Sequence, residues 1–117
     1  MIRKIISGGQ DGADVAGLRA ARRLGLETGG YMPAGFKTAS GPKPHYAAMY
    51  GVSCTESDDY VPRTRLNVQL SDATVRFAWH WDSPGEKTTL QAIRTAKKPH
   101  LDVSITKMED GSTHVFP

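Results

Sequence analysis

Ser7, Gln10 and Asp14 are spaced around Gly8, Gly9 and Gly12 in the run Ile5-Ile6-Ser7-Gly8-Gly9-Gln10-Asp11-Gly12-Ala13-Asp14. An apolar strand thus passes through three glycines in five residues into an alanine-rich helix. Glycines let a ligand approach the backbone, and a helix N-terminus offers unpaired N–H groups and the positive end of its dipole. The chemistry this run suits is the reception of phosphate. Gln10 could read a base or a hydroxyl, and Asp11 or Asp14 could accept from ribose hydroxyls, although a carboxylate at a helix start serves equally as a cap. The spacing is neither the G-x-G-x-x-G dinucleotide fingerprint nor a Walker loop, since no Gly-Lys-Ser or Gly-Lys-Thr follows.

A second loop-to-helix junction is Ser83-Pro84-Gly85-Glu86-Lys87-Thr88-Thr89. Backbone N–H groups, Lys87 and the hydroxyls of Ser83 and Thr88 could gather around an anion there, although proline and threonine are also ordinary helix-start residues. Arg63, four residues before Asn67 and on the same helix face, suits bidentate phosphate recognition. Trp81 could stack on a base, although tryptophan is more often a core or interface residue. Pro33 to His45 reads as a long surface loop carrying Lys37 and Lys43, suited to act as a lid. His45, His80, His100 and His114 show no metal-ligand spacing, and Ser7 does not sit in a nucleophile elbow.

These residues need a scaffold of alternating strands and helices. Ile2–Ser7 is expected as a buried parallel strand and Ala13–Leu24 as a helix with Ala13, Gly17, Ala20 and Leu24 on its sheet-facing stripe. Gly25 stops that helix, and a short strand at Gly29–Met32 and another at Val52–Thr55 are expected next. Pro62 fits the first position of a short helix, Arg63–Leu70, with Leu66 and Leu70 one turn apart. In Ala73–Trp79, Val75, Phe77 and Trp79 alternate with Thr74 and Arg76 as in a central strand. A helix ending near Lys98 is stopped by Pro99, His100–Ile105 supplies a strand, and Lys107–Pro117 a hairpin or edge strand around Glu109-Asp110-Gly111. The pattern predicts a compact three-layer Rossmann-like α/β fold with a mostly parallel sheet. In such sheets the loops at 7–14 and 80–89 would converge beyond the strand ends if their strands were neighbours.

At 117 residues, with 38% hydrophobic and 23% charged residues, the chain has the length and composition of one globular domain, expected over 1–117. Fifteen Lys and Arg against twelve Asp and Glu give a net charge of +3. Much of that excess lies at Arg19, Arg22, Arg23, Arg94, Lys97 and Lys98, where helix ends favour cations without any partner. Nucleic acid is therefore a minor expectation. Cys54 is alone, so neither an intramolecular disulfide nor a cysteine-based zinc site can form. With no apolar segment long enough for a signal peptide or membrane span, a soluble cytoplasmic protein is expected.

The ordered series Ile5 to Asp14, Gly30-Tyr31-Met32-Pro33-Ala34-Gly35, Arg63-Thr64-Arg65-Leu66-Asn67-Val68, Ser71-Asp72-Ala73-Thr74, Ser83-Pro84-Gly85 with Thr88-Thr89-Leu90, and Lys98-Pro99 resembles the molybdenum cofactor carrier family. That family lies within the Rossmann-like superfamily of Lonely-Guy-type phosphoribohydrolases and DNA-processing protein A. The resemblance covers roughly residues 2–105. It implies a modified Rossmann sheet, a ligand pocket at the first loop and at the Ser-Pro-Gly loop, and a homo-oligomer. It also implies nucleotide-like ligands, or the phosphorylated pterin of the carrier subgroup. Ser7, Gly8, Gly9, Gln10, Asp14, Arg63, Asn67, Ser83, Pro84, Gly85 and Thr88 carry the implied site.

The sequence departs from the hydrolases by having no acid at Leu90–Ile93, a turn after the second loop, which argues against hydrolysis. It also lacks the further helix with which the family usually continues. The expected function is non-catalytic binding of a phosphorylated nucleotide-like ligand, with no cofactor required and a nucleotide or molybdopterin-type molecule as the cargo. The binding residues would be Ser7, Gly8, Gly9, Gln10, Asp11, Gly12, Asp14, Lys37, Arg63, Asn67, Trp81, Ser83, Pro84, Gly85, Lys87 and Thr88. The alternatives are a sponge sequestering a nucleotide immune signal and a nucleotide N-glycosidase in which Glu86 or Asp14 assists an oxocarbenium-like transition state.

Overall fold

In the computed structural model, which describes residues 1–117, the chain divides into two units, Met1–Asn67 and Val68–Pro117. Three of its four strand pairings are parallel and one is antiparallel. The hydrogen-bonded ladders are separate, two of two strands and one of three.

In the first unit, β1 (Lys4–Ile6) pairs in parallel with β2 (Glu27–Gly29), and β3 (Tyr31–Met32) with β4 (Ser53–Cys54). β1 is shorter than the expected Ile2–Ser7 and only half-buried, and Ile2 is exposed. The chain turns from β2 into β3 at Gly30, whose φ of 121° is open to glycine alone, and a side chain there would strike the Ser7 backbone. The expected single strand is therefore two.

Helix α1 (Ala13–Arg23) starts and ends within a residue of expectation, but its buried face is Val15, Leu18 and Ala21. Ala13, Ala20 and Leu24, assigned above to the sheet-facing stripe, are exposed. The larger apolar residues one and two positions away bury more surface and so set the helix rotation. Val15 and Leu18 pack with Met32, Tyr46, Tyr50 and Val52 in one core cluster. Tyr46 and Tyr50 belong to α2 (Tyr46–Tyr50), a short helix missing from the expected elements, and their rings meet edge to face at 5.3 Å. Arg22 ties α1 to α2 by donating to the Met49 carbonyl at 3.0 Å.

Helix α3 (Tyr60–Leu70) begins two residues before Pro62, so the proline is third rather than first. It is tolerated because first-turn N–H groups have no helical acceptor. Thr64 and Val68 are its buried positions, whereas Leu70 is exposed.

The second unit contains β5 (Thr74–Ala78), α4 (Pro84–Ala96), β6 (His100–Lys107) and β7 (Thr113–Phe116). β5 and β6 run parallel with Arg76 beside Asp102 and Phe77 beside Val103, and β7 returns antiparallel through the expected Glu109–Gly111 turn. Val68, Ala92 and Ile93 form its core cluster. The expected alternation of β5 is inverted: Arg76 and Ala78 are buried, while Val75, Phe77 and Trp79 are exposed. Lys98 donates from Nζ to the carbonyls of Val68 at 3.1 Å, Ser71 at 2.6 Å and Gln69, closing the end of α3. No helix is long and apolar enough to cross a membrane.

Candidate functional site

The first-unit site is built on the turn between β1 and α1. Ser7 N donates to Gly29 O at 3.0 Å, which fixes the exit from β1 beside β2. Ser7 Oγ accepts from Gly9 N at 3.1 Å and donates to Asp14 O at 2.9 Å, so one hydroxyl folds the glycine loop back on the helix. The N-cap of α1 is Gly12, and no side chain caps the helix. Val15 N already donates to Gln10 O at 3.1 Å, so the N–H groups of Ala13 and Asp14 are the ones left to an outside acceptor.

Asp14 does not cap the helix. Its Oδ2 accepts from the Gln10 N–H upstream and from Arg63 Nη1, both at 3.4 Å. Burial pushes the Asp14 carboxyl above its ordinary pKa, against the lowering pull of Arg63 and the Gln10 N–H. Arg63 packs so closely over Gly8 that a side chain at Gly8 would overlap its guanidinium. The guanidinium is mostly buried, and its Nε finds no hydrogen-bond partner. A positive group with unused donor capacity therefore lies against the glycine loop.

Gln10 and Asp11 turn toward the 33–45 loop. Gln10 Nε2 donates to Gly8 O and to Lys37 O, each at 3.0 Å. Asp11 accepts from Ser40 N at 3.0 Å and Ser40 Oγ at 2.9 Å. The loop expected to act as a lid is strapped to the glycine loop by three of these bonds, one at Lys37 O and two from Ser40. Lys37 Nζ sits 4.9 Å from the centre of the Tyr60 ring, and Arg63 Cζ lies 5.5 Å from the same centre. Tyr60, absent from the sequence-based candidates, therefore gathers both cations; only its place three residues before Arg63 on α3 signalled this.

Asn67 is on the Arg63 face as expected, but both ends of its amide are engaged. Oδ1 accepts from Tyr31 N at 2.8 Å and Nδ2 donates to Tyr31 O at 3.0 Å. The side chain pairs with β3 as a neighbouring strand would.

The remaining candidates belong to the second unit. Ser83 is the N-cap of α4, accepting from Glu86 N at 3.2 Å, with Pro84 in the first helical position. Thr89 donates to Gly85 O at 3.0 Å. Lys87 is exposed and lines an open groove with Leu90, Gln91, Arg94 and Thr95, and Thr88 is half-buried. Trp81 has one face on the Arg76 guanidinium, 4.6 Å from the ring centre, and its indole N–H donates to Ser104 Oγ at 3.1 Å. Arg76 also holds Asp102 through two bonds, 2.8 and 2.6 Å, and donates to Glu86 O at 3.0 Å. This buried arginine, absent from the candidates, fixes both the Trp81 loop and the first turn of α4.

Parallel strand pairs joined through helices, with a glycine loop leading from the first strand into the first helix, define a Rossmann-like α/β protein. The chain belongs to the circularly permutated YpsA SLOG family, whose profile matches residues 5–116. It is similar to a crystal structure from Syntrophus aciditrophicus described as a "Putative molybdenum carrier protein", with 35% identity and a TM-score of 0.80. The likeness covers 88% of this chain and 63% of that one, so the chain spans less than two thirds of that neighbour's length. Comparison with curated proteins gives no match. The molybdenum carrier-like resemblance read from the motifs is thereby shown.

Proposed function

We propose that the chain binds the phosphate of a nucleotide-like ligand at the Ser7–Asp14 loop and holds the molecule without turning it over. The observation that carries this reading is the placement of Arg63 against Gly8, beside the uncapped start of α1. A guanidinium, a glycine backbone and a helix N-terminus all favour an anion, and together they favour a phosphate. Lys37, held over Tyr60, supports the same charge preference. The neighbour described as a molybdenum carrier supports a molybdopterin-type cargo within this class.

The test is thermal shift and calorimetry with inorganic phosphate, nucleoside monophosphates, ADP-ribose and molybdopterin, followed by chromatography of the recovered ligand. Stabilisation by a phosphorylated compound recovered intact is expected. If none of them stabilises the protein, the reading fails.

One observation favours a second reading, N-glycosidic cleavage of a nucleotide: Asp14 is a carboxyl held above its ordinary pKa beside the glycine loop, as a general acid would be. Free base released from nucleoside monophosphates, and lost in Asp14→Asn, would select it.

A further inference from the structure

We infer that the glycine-loop site takes two linked phosphates, a diphosphate, and that Tyr60 is the positioning residue that sets Lys37 to receive the second. This rests on the phosphate reading proposed above and adds to it the class of ligand. One amide joins the two halves of the site. Gln10 Nε2 donates to Gly8 O and to Lys37 O, each at 3.0 Å, so those two carbonyl oxygens are neighbours. The backbone of Lys37 is therefore held beside the glycine that Arg63 covers. The bonds from Ser40 to Asp11 fix the same stretch further along.

Tyr60 brings the side chains together as Gln10 does the backbones. Lys37 comes from the 33–45 loop and Arg63 from α3, yet one ring centre lies 4.9 Å from Lys37 Nζ and 5.5 Å from Arg63 Cζ. The two charges are separated by no more than the sum of those distances. Like charges so placed repel, and the ring attracts each without shielding one from the other. No carboxylate joins them: Asp14 reaches Arg63 at 3.4 Å, whereas Asp58 reaches Lys37 at 4.0 Å. The second contact is too long for a hydrogen bond and lies between exposed groups, where an ion pair contributes little. A phosphate seated on Arg63 and the Gly8 backbone leaves the Lys37 ammonium with its donors unengaged. A second phosphate, joined to the first through one oxygen, engages them, so a diphosphate matches two cations where a lone phosphate matches one.

Calorimetric titration with inorganic pyrophosphate and with inorganic phosphate, free of divalent cations, tests the inference. The wild type is expected to prefer pyrophosphate by about tenfold or more, as one further charge-assisted contact gives. Lys37→Gln should erase that preference by weakening pyrophosphate alone, with phosphate affinity within about twofold of wild type. Tyr60→Leu, which removes the ring, should do the same, whereas Tyr60→Phe, which keeps it, should retain the wild-type ratio. Lys43→Gln takes a charge from the same loop and should leave the ratio unchanged. A ratio of two affinities on one variant is not moved by a general loss of stability, and should Tyr60→Leu fail to fold, Lys37→Gln at a partly exposed side chain still decides. Equal affinity of the wild type for the two anions, or a preference that survives Lys37→Gln or Tyr60→Leu, overturns the inference and leaves single-phosphate binding intact. A preference lowered equally by Lys43→Gln is a response to net charge and overturns it too. Binding of neither anion overturns it together with the phosphate reading itself.

Discussion

Arg63 occupies the space that any side chain at Gly8 would need, so the arginine and the glycine act as one unit. Because the obstructing group is the tip of a flexible side chain, Gly8→Ala can be absorbed by moving Arg63. Stability should change by less than ~1 kcal/mol. Phosphate affinity should instead fall by roughly 10- to 100-fold, the equivalent of losing charge-assisted bonds worth ~1.5–3 kcal/mol. Arg63→Met should cost the same, and the double variant no more than either single one. Calorimetric titration of the three variants with inorganic phosphate checks this; additive losses would separate the two residues.

Asp14 competes with any anion for Arg63, at 3.4 Å. Asp14→Asn should therefore bind sulfate several-fold more tightly than the wild type. Burial raises the carboxyl pKa, so the folded state holds this proton more firmly than the unfolded chain. The carboxyl's contribution thus favours folding at low pH and is lost as pH rises through the raised value. Arg63 is released as pH falls through that same value. Sulfate keeps its charge across this range, so wild-type affinity should climb toward pH 4 more steeply than that of Asp14→Asn. Parallel pH profiles would contradict the competition.

The Arg76–Asp102 pair makes an opposite pH prediction. Hydrogen bonds from Arg76 and from His100 hold the Asp102 carboxyl down to about 2. Its stabilising contribution is present above the ordinary aspartate value of 3.8 and is lost as pH falls to about 2. Asp102→Asn should flatten that acid limb. At neutral pH it should cost roughly 2 kcal/mol, below the usual ~3–5 for breaking a buried pair, because the carboxylate is partly open to solvent. Replacing both residues by leucine should cost less than Asp102→Asn alone, since no buried guanidinium is then stranded. Urea unfolding at pH 7 and at descending pH measures each case.

The glycine run, the helix after it and the loop-to-helix junction at Ser83–Thr89 were legible in the sequence because each is a local device, set by residues within a few positions. The inverted burial of β5 was not. Alternation marks two faces of Thr74–Ala78, yet which face is covered depends on Asp102, twenty-six residues after Arg76, supplying the bonds that let an arginine be buried. Lys98 was legible as part of a motif and as a helix-end cation, but its capture of three carbonyls from 68–71 depends on a chain reversal that periodicity does not record. Tyr46 and Tyr50 carried the four-residue spacing of α2, but five residues beyond a proline-rich stretch give too little pattern to separate a helix from a loop.

Asn67 shows how a residue placed correctly on a face can have its polar groups committed elsewhere. It lies four residues after Arg63, but its amide accepts from Tyr31 N and donates to Tyr31 O, the paired bonds of a strand neighbour. Asn67→Asp keeps the acceptor and removes the donor, setting a carboxylate oxygen against the Tyr31 carbonyl. That repulsion, with the lost bond, should cost roughly 1–3 kcal/mol. Asn67→Ala loses both bonds without the repulsion and should cost less. If Asn67 acts through β3, phosphate affinity of the folded Asn67→Ala variant should stay within about twofold of wild type while its melting temperature falls. If Asn67 instead reads the ligand directly, affinity for a nucleoside monophosphate should drop with little change in melting temperature. Measuring both quantities on the same variant decides between the two roles.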